Sequence, residues 1–125
     1  MTDNHKTTIA VVDDDIRILQ SMEEMLESAG HSVRLFSSAQ SLLAAEDLSS
    51  VDCVITDISM PAIDGFELRR RVRRMHPDLP VIFMTGRRET SDSLRADAET
   101  HHGLFRKPFD ATALLMAVSL ALGLG

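Results

Sequence analysis

Five short apolar runs alternate with segments of helical spacing, and this alternation constrains the fold more than any other feature. The runs are "TIAVVD" (8–13), "HSVRLF" (31–36), "VDCVITD" (51–57), "LPVIFMT" (79–85) and "GLFRKPF" (103–109). Most are nearly continuous in apolar residues, as expected of parallel strands buried on both faces. Between them lie helical patterns. Ile18, Leu19, Met22, Met25, Leu26 and Ala29 recur at helical spacing and end at Gly30, where a C-terminal cap glycine belongs. Residues 37–47 open with a serine cap and read as a short helix. Residues 64–75 place Leu68, Val72 and Met75 on one face and arginines on the other, behind the N-cap Asp64. Residues 88–99 read as a weak helix with little to bury. Residues 111–122 read as a last helix behind Asp110. The alternation predicts an α/β domain with a five-stranded parallel sheet, doubly wound by helices on both faces. With no internal repeat or linker-like stretch, residues 1–125 read as one domain with its core over about 8–122.

Composition narrows the function. Net charge is −6, which argues against direct nucleic-acid binding, and Trp and Tyr are absent, which removes the usual base-stacking platform. Cys53 is the single cysteine, so no internal disulfide can form and a reducing cytoplasm fits. The N-terminus, "MTDNHKTT", has no apolar core region of a signal peptide, and no apolar run approaches the roughly 18 residues of a membrane span.

In doubly wound sheets, chemistry sits beyond the carboxyl ends of the strands. The first strand ends at Asp13, followed by Asp14 and Asp15. The third ends at Asp57, the fourth at Thr85 before Gly86, and the fifth carries Lys107 before Pro108. If these strands are neighbours, carboxylates, a hydroxyl and an ammonium converge on one edge. Clustered carboxylates raise one another's pKa values unless a cation lies among them, and a hard divalent ion with oxygen ligands resolves the conflict.

The set "VVDDD", "VITDISMPAIDGFEL", "PVIFMTG" and "LFRKPF" resembles the receiver domain of bacterial two-component response regulators, closest to the transcription-factor type. The resemblance runs from about Thr8 to Leu122. It implies a flavodoxin-like fold with strand order 2-1-3-4-5. It implies Asp57 as phosphoacceptor, attacking the phosphorus of a phosphohistidine on a histidine kinase or phosphotransfer protein to give an aspartyl phosphate. An aspartate of ordinary pKa, about 3.9, is already ionised at neutral pH and needs no general base. Mg2+, with Mn2+ as a substitute, is implied on Asp14, Asp57 and the backbone carbonyl of Ser59, with Asp13 acting through a water. Lys107, Thr85 and Gly86 would cradle the phosphoryl group, and a cis peptide is implied before Pro108. Thr85 and Phe105 would form the switch, working by packing because Phe105 has no hydroxyl. Ser59 and Arg87 would tune how long the phosphate lasts. Such a domain is not an enzyme in the usual sense, although it catalyses its own phosphorylation and dephosphorylation.

Phosphorylation would then switch the face formed by the helix at 88–99, the fifth strand and the last helix. Two departures from the family pattern bear on that face. "ETHHG" stands where small residues are usual, so the helix at 88–99 is predicted to be short or mobile. Residues 111–125 carry no charged side chain and too many apolar side chains for one buried stripe, so the last helix is predicted to join homodimerisation or partner docking. The favoured output is a stand-alone regulator acting through protein contacts. The alternatives are the receiver part of a DNA-binding transcriptional regulator and, from another class, a Mg2+-dependent phosphatase that also forms an aspartyl phosphate. The phosphatase is disfavoured because Ser59 stands where such enzymes place a second aspartate.

Plainer readings exist for single features. An acidic run alone can be a solvated helix start, Thr85 alone a strand residue, His101-His102 an exposed turn, and Cys53 core packing. The arginines at 69, 70, 71, 73 and 74 read as a solvated helix face sooner than as a site for acid or phosphate.

Overall fold

The computed structural model describes residues 7–45, 48–85, 104–106 and 111–123. Within them the expected alternation appears as β1 (Thr8–Val12), α1 (Ile16–Ser28), β2 (Ser32–Phe36), α2 (Ala39–Leu43), a 3-10 turn (Leu48–Ser50), β3 (Cys53–Asp57), α3 (Gly65–Met75), β4 (Val81–Thr85), β5 (Leu104–Arg106) and α4 (Ala111–Ala121). All strand pairs are parallel and the sheet order is β2-β1-β3-β4-β5, as the resemblance implied. The region 88–99, with its predicted short or mobile helix, lies outside the described residues.

Strand pleating sends alternate side chains to opposite faces, and the sheet accordingly divides two cores. On one face Ala10, Val12, Val54 and Phe83 pack with Leu42 of α2 and Leu68 and Val72 of α3. On the other, Ile9, Val11, Ile55, Ile82 and Met84 pack with Leu19, Met22 and Leu26 of α1 and Leu114 and Val118 of α4. Burying an aliphatic side chain of this size contributes roughly 1.5–3 kcal/mol, so both layers stabilise the sheet that carries the site. Phe66 of α3 meets Phe83 edge to face, with ring centroids 5.1 Å apart.

The helix ends follow the local chemistry. Asp15 caps α1 through its side chain, Ser38 caps α2 and Asp64 caps α3 by accepting from the Glu67 N–H at 2.8 Å. Gly30 adopts φ +96° after α1, the left-handed turn its position predicted. The His31 N–H donates back to Leu26 O and the Gly30 N–H to Glu27 O, which closes the helix with a Schellman motif.

Several boundaries differ from the sequence expectation. The helix expected over 37–47 runs only from Ala39 to Leu43, because its inward face offers just Ala39 and Leu42 and the next buried residue, Leu48, belongs to a separate 3-10 turn. Met75 shares a face with Leu68 and Val72 but is 54% exposed, since α3 ends there at the sheet's margin. Ala29 and Ile16, at the two ends of α1, are also exposed. On α4 Leu114 and Val118 are fully buried, while Met116 and Leu120 are 61% and 68% exposed, so the excess apolar residues do face outward.

Candidate functional site

β3 is the central strand, held between β1 and β4, and Asp57 is its last residue. Only 4% of Asp57 is exposed. The neighbouring β1 ends at Val12, and Asp13 follows it, fully buried. The Asp13 N–H donates to Phe36 O at 3.1 Å, and its carboxylate accepts from the Asp15 N–H at 2.9 Å. These two bonds fix the bend that leads into α1 and leaves Asp14 at the surface. Oxygens of Asp13, Asp14 and Asp57 lie within 4.8 Å of one another. The set is oxygen-only, anionic and partly buried, which is the donor chemistry that suits a hard divalent cation such as Mg2+.

On the other side of β3, Met84 of β4 is the register partner of Asp57, so Thr85 extends one residue beyond it. Thr85 is fully buried. The chain leaves β3 through Ile58, whose N–H donates to Met84 O at 2.9 Å, and Ser59 then emerges at the surface. The structure therefore gathers Asp13, Asp14, Asp57 and Thr85 at adjacent strand ends, with Ser59 on the loop that follows. Phe105 lies in β5 opposite Met84 in the backbone register. Gly86, Arg87, Lys107 and Pro108 lie outside the described residues.

Two positioning residues escaped the sequence reasoning. Gly65, the first residue of α3, donates its N–H to Ile58 O at 2.8 Å. A Cβ at Gly65 would lie 2.5 Å from the carbonyl oxygen of Asp57 and 2.8 Å from the Cα of Ile58. The glycine lets the start of α3 press directly against the backbone of Asp57. Thr56, fully buried, donates its hydroxyl to that same carbonyl at 3.0 Å. The loop between them contains Ala62 at φ 67°, with the Ile63 N–H donating to Pro61 O at 2.8 Å. That bond closes a γ-turn in the left-handed region, which a side-chain-bearing residue adopts only at a cost.

A hollow of about 400 Å³ lies at the opposite end of the sheet, lined by Leu48, Val51, Met75, His76 and Leu79 among others. It faces the amino-terminal ends of β3 and β4, away from the carboxylates, so it is not the site described here. Among the described residues no helix is long and apolar enough to cross a membrane.

The model of the response regulator receiver domain matches residues 9–119. The chain belongs to that family. As a receiver domain of two-component response regulators it is a signalling module and not an enzyme of the ordinary kind. It is 34% identical over 115 residues to the DNA-binding transcriptional regulator NtrC of Rhizobium meliloti (strain 1021), covering 92% of this chain and 24% of NtrC. It is 33% identical over 117 residues to the transcriptional regulatory protein FixJ of Bradyrhizobium diazoefficiens, covering 94% of this chain and 57% of FixJ. The receiver thus spans about a quarter of one relative and just over half of the other. Among solved structures, a response regulator receiver domain protein from Clostridium thermocellum superposes with a TM-score of 0.84 at 32% identity, covering 94% of each chain.

Proposed function

We propose that this receiver accepts a phosphoryl group on Asp57 from the phosphohistidine of a histidine kinase or phosphotransfer protein. A carboxylate oxygen of Asp57 attacks phosphorus, the P–N bond breaks, and the kinase histidine leaves. The observation that carries the proposal is the meeting of Asp13, Asp14 and Asp57 within 4.8 Å at the carboxyl end of the central strand. Asp14, Asp57 and the Ser59 carbonyl are the proposed ligands of Mg2+, with Asp13 holding a water of its shell. When bound, Mg2+ supplies charge neutralisation for the transferring group. The sheet holds Asp57 in place, and the buried Thr85 hydroxyl is the proposed donor to a phosphoryl oxygen. Lys107, Gly86 and Arg87 are proposed for the phosphate environment from the sequence pattern alone.

Incubation with acetyl phosphate and Mg2+, followed by intact mass measurement, tests the proposal. Wild type should gain one phosphate, and Asp57→Asn should gain none. A phosphate retained by Asp57→Asn, or no gain by wild type, overturns it.

The output is proposed to run through protein contacts on the side of β5 and α4. The exposed Met116 and Leu120 support self-association or partner docking there. An unchanged monomer at high concentration, with and without beryllofluoride, would remove the dimer. A second reading, favoured by the transcriptional regulators among the relatives, has this receiver controlling a DNA-binding module. A native reading frame that continues past Gly125 into such a module would select it.

A further inference from the structure

Five arginines against one glutamate give α3 a formal charge of +4, in a chain whose net charge is −6. The inward side of the helix is taken up by Gly65, Leu68 and Val72. The arginines therefore fan across the outer side, where Arg70, Arg71, Arg73 and Arg74 are exposed and Arg69 is half-buried. Glu67 engages two of them, accepting from Arg70 and Arg71 at 3.0 and 2.9 Å, and these bonds hold its carboxyl below the usual range. Arg73 and Arg74, one turn further on, have no hydrogen-bonding or ion-pair partner among the described residues. The helix thus presents an internally paired half and an open half.

We propose that the outer face of α3 is a docking surface for an acidic polypeptide segment of a partner protein, with Arg73 and Arg74 as its principal contacts and Glu67 as an internal competitor. Charge complementarity carries the choice of occupant. Guanidinium forks bind carboxylates in a bidentate manner, and a short acidic segment matches an 11-residue helix about 16 Å long. A short acidic segment carries a lower charge density than a polyphosphate and so meets less repulsion from the rest of a chain whose net charge is −6. A lipid surface would need apolar residues spread through the basic face, and here Leu68 and Val72 lie in the core, Phe66 packs against it, and Met75 at the helix end is the one large apolar side chain of α3 that is exposed. Arg73 and Arg74 stand at the other end of α3 from Gly65, the residue that meets Asp57, and the proposal uses none of the carboxylates of the phosphoacceptor site, so it stands independently of the phosphotransfer reading.

Fluorescence anisotropy with a labelled oligoglutamate of about ten residues tests the proposal, in salt raised from about 50 to 200 mM to exploit screening. A mixed-sequence DNA duplex and phosphatidylserine vesicles serve as rival probes. Wild type should bind the oligoglutamate, and more weakly as salt rises. Arg73→Ala/Arg74→Ala should weaken binding about tenfold, and Glu67→Gln should tighten it roughly threefold by releasing Arg70 and Arg71. The Glu67 variant gives an opposite sign, which general loss of folding cannot mimic. Equal affinity in wild type and the double variant, no effect of Glu67→Gln, or tighter binding of DNA or vesicles than of oligoglutamate would overturn the assignment.

Discussion

Gly65 and Asp57 are packed backbone to backbone: a single added carbon on Gly65 would stand 2.5 Å from the Asp57 carbonyl oxygen. The atoms met are all backbone, so no flexible side chain can give way. The start of α3 is in this way a direct support for the strand tip that carries the candidate phosphoacceptor. In Gly65→Ala the helical preference of alanine, worth about 1 kcal/mol, opposes a backbone overlap that costs typically 1–3 kcal/mol. The overlap should win. The variant is expected to unfold at a lower temperature and to take up phosphate from acetyl phosphate more slowly than wild type. Calorimetry and intact mass measurement read the two effects, and an unchanged uptake rate would show that the contact does not position Asp57.

Ala62 gives the reverse expectation. Its φ of 67° is one that an L-residue pays about 1–2 kcal/mol to hold, whereas glycine holds it freely. Glycine loses more chain entropy on folding, about 0.5–1 kcal/mol, so the net gain is smaller. Ala62→Gly should be more stable by about 0.5–1 kcal/mol, and Ala62→Val less stable than wild type. Chemical denaturation of the three proteins measures the order directly.

The acidic cluster predicts a trade between stability and metal binding. With no metal ion bound, the carboxylates of Asp13, Asp14 and Asp57 repel one another across the distances described. Asp13→Asn removes one charge while its side-chain oxygen can still accept the Asp15 N–H. In EDTA the variant should be more stable by on the order of 1 kcal/mol, a rise in Tm of roughly 3–5 °C. Added Mg2+ should raise the Tm of wild type more than that of the variant. Thermal melts with and without the ion check both signs.

His31 should make stability fall on mild acidification. Partial burial lowers its pKa below the ordinary 6.5, and its ring is hydrogen-bonded to the Thr7 hydroxyl. Because the folded value is depressed, the unfolded chain binds the proton first. Its contribution is therefore complete above about pH 6.5 and is lost as pH falls through the lower folded value. Over pH 7 to 5 the Tm of His31→Gln should decline less than that of wild type. Parallel curves for the two proteins would assign the acid sensitivity to other groups.

Much of this architecture is legible in the chain because its signals are local. Val54, Ile55 and Ile82 announce buried strands by continuous apolar runs, and Gly30 marks a helix end by a conformation that glycine favours. The acids at 13, 14 and 57 are legible as a cluster for a different reason: each stands at or just past the point where an apolar run stops, and sheet topology then makes those stops neighbours. What the sequence hides is contact at a distance. Gly65 looks like the second half of an ordinary Asp-Gly helix start, and nothing nearby records that a carbonyl eight residues upstream requires its bareness. The same holds for α2, whose end depends on where Leu48 finds the core, and for Met75, which keeps the helical spacing of Leu68 and Val72 but overruns the sheet.

The division of the core by the sheet leaves α3 in one layer and α4 in the other. Visitors to these two helices approach from opposite compass points, with the strands as a wall between them. A partner proposed for one helix would therefore leave the other uncovered, and the strands that lie between the two layers end at the edge where Asp57 and Thr85 stand.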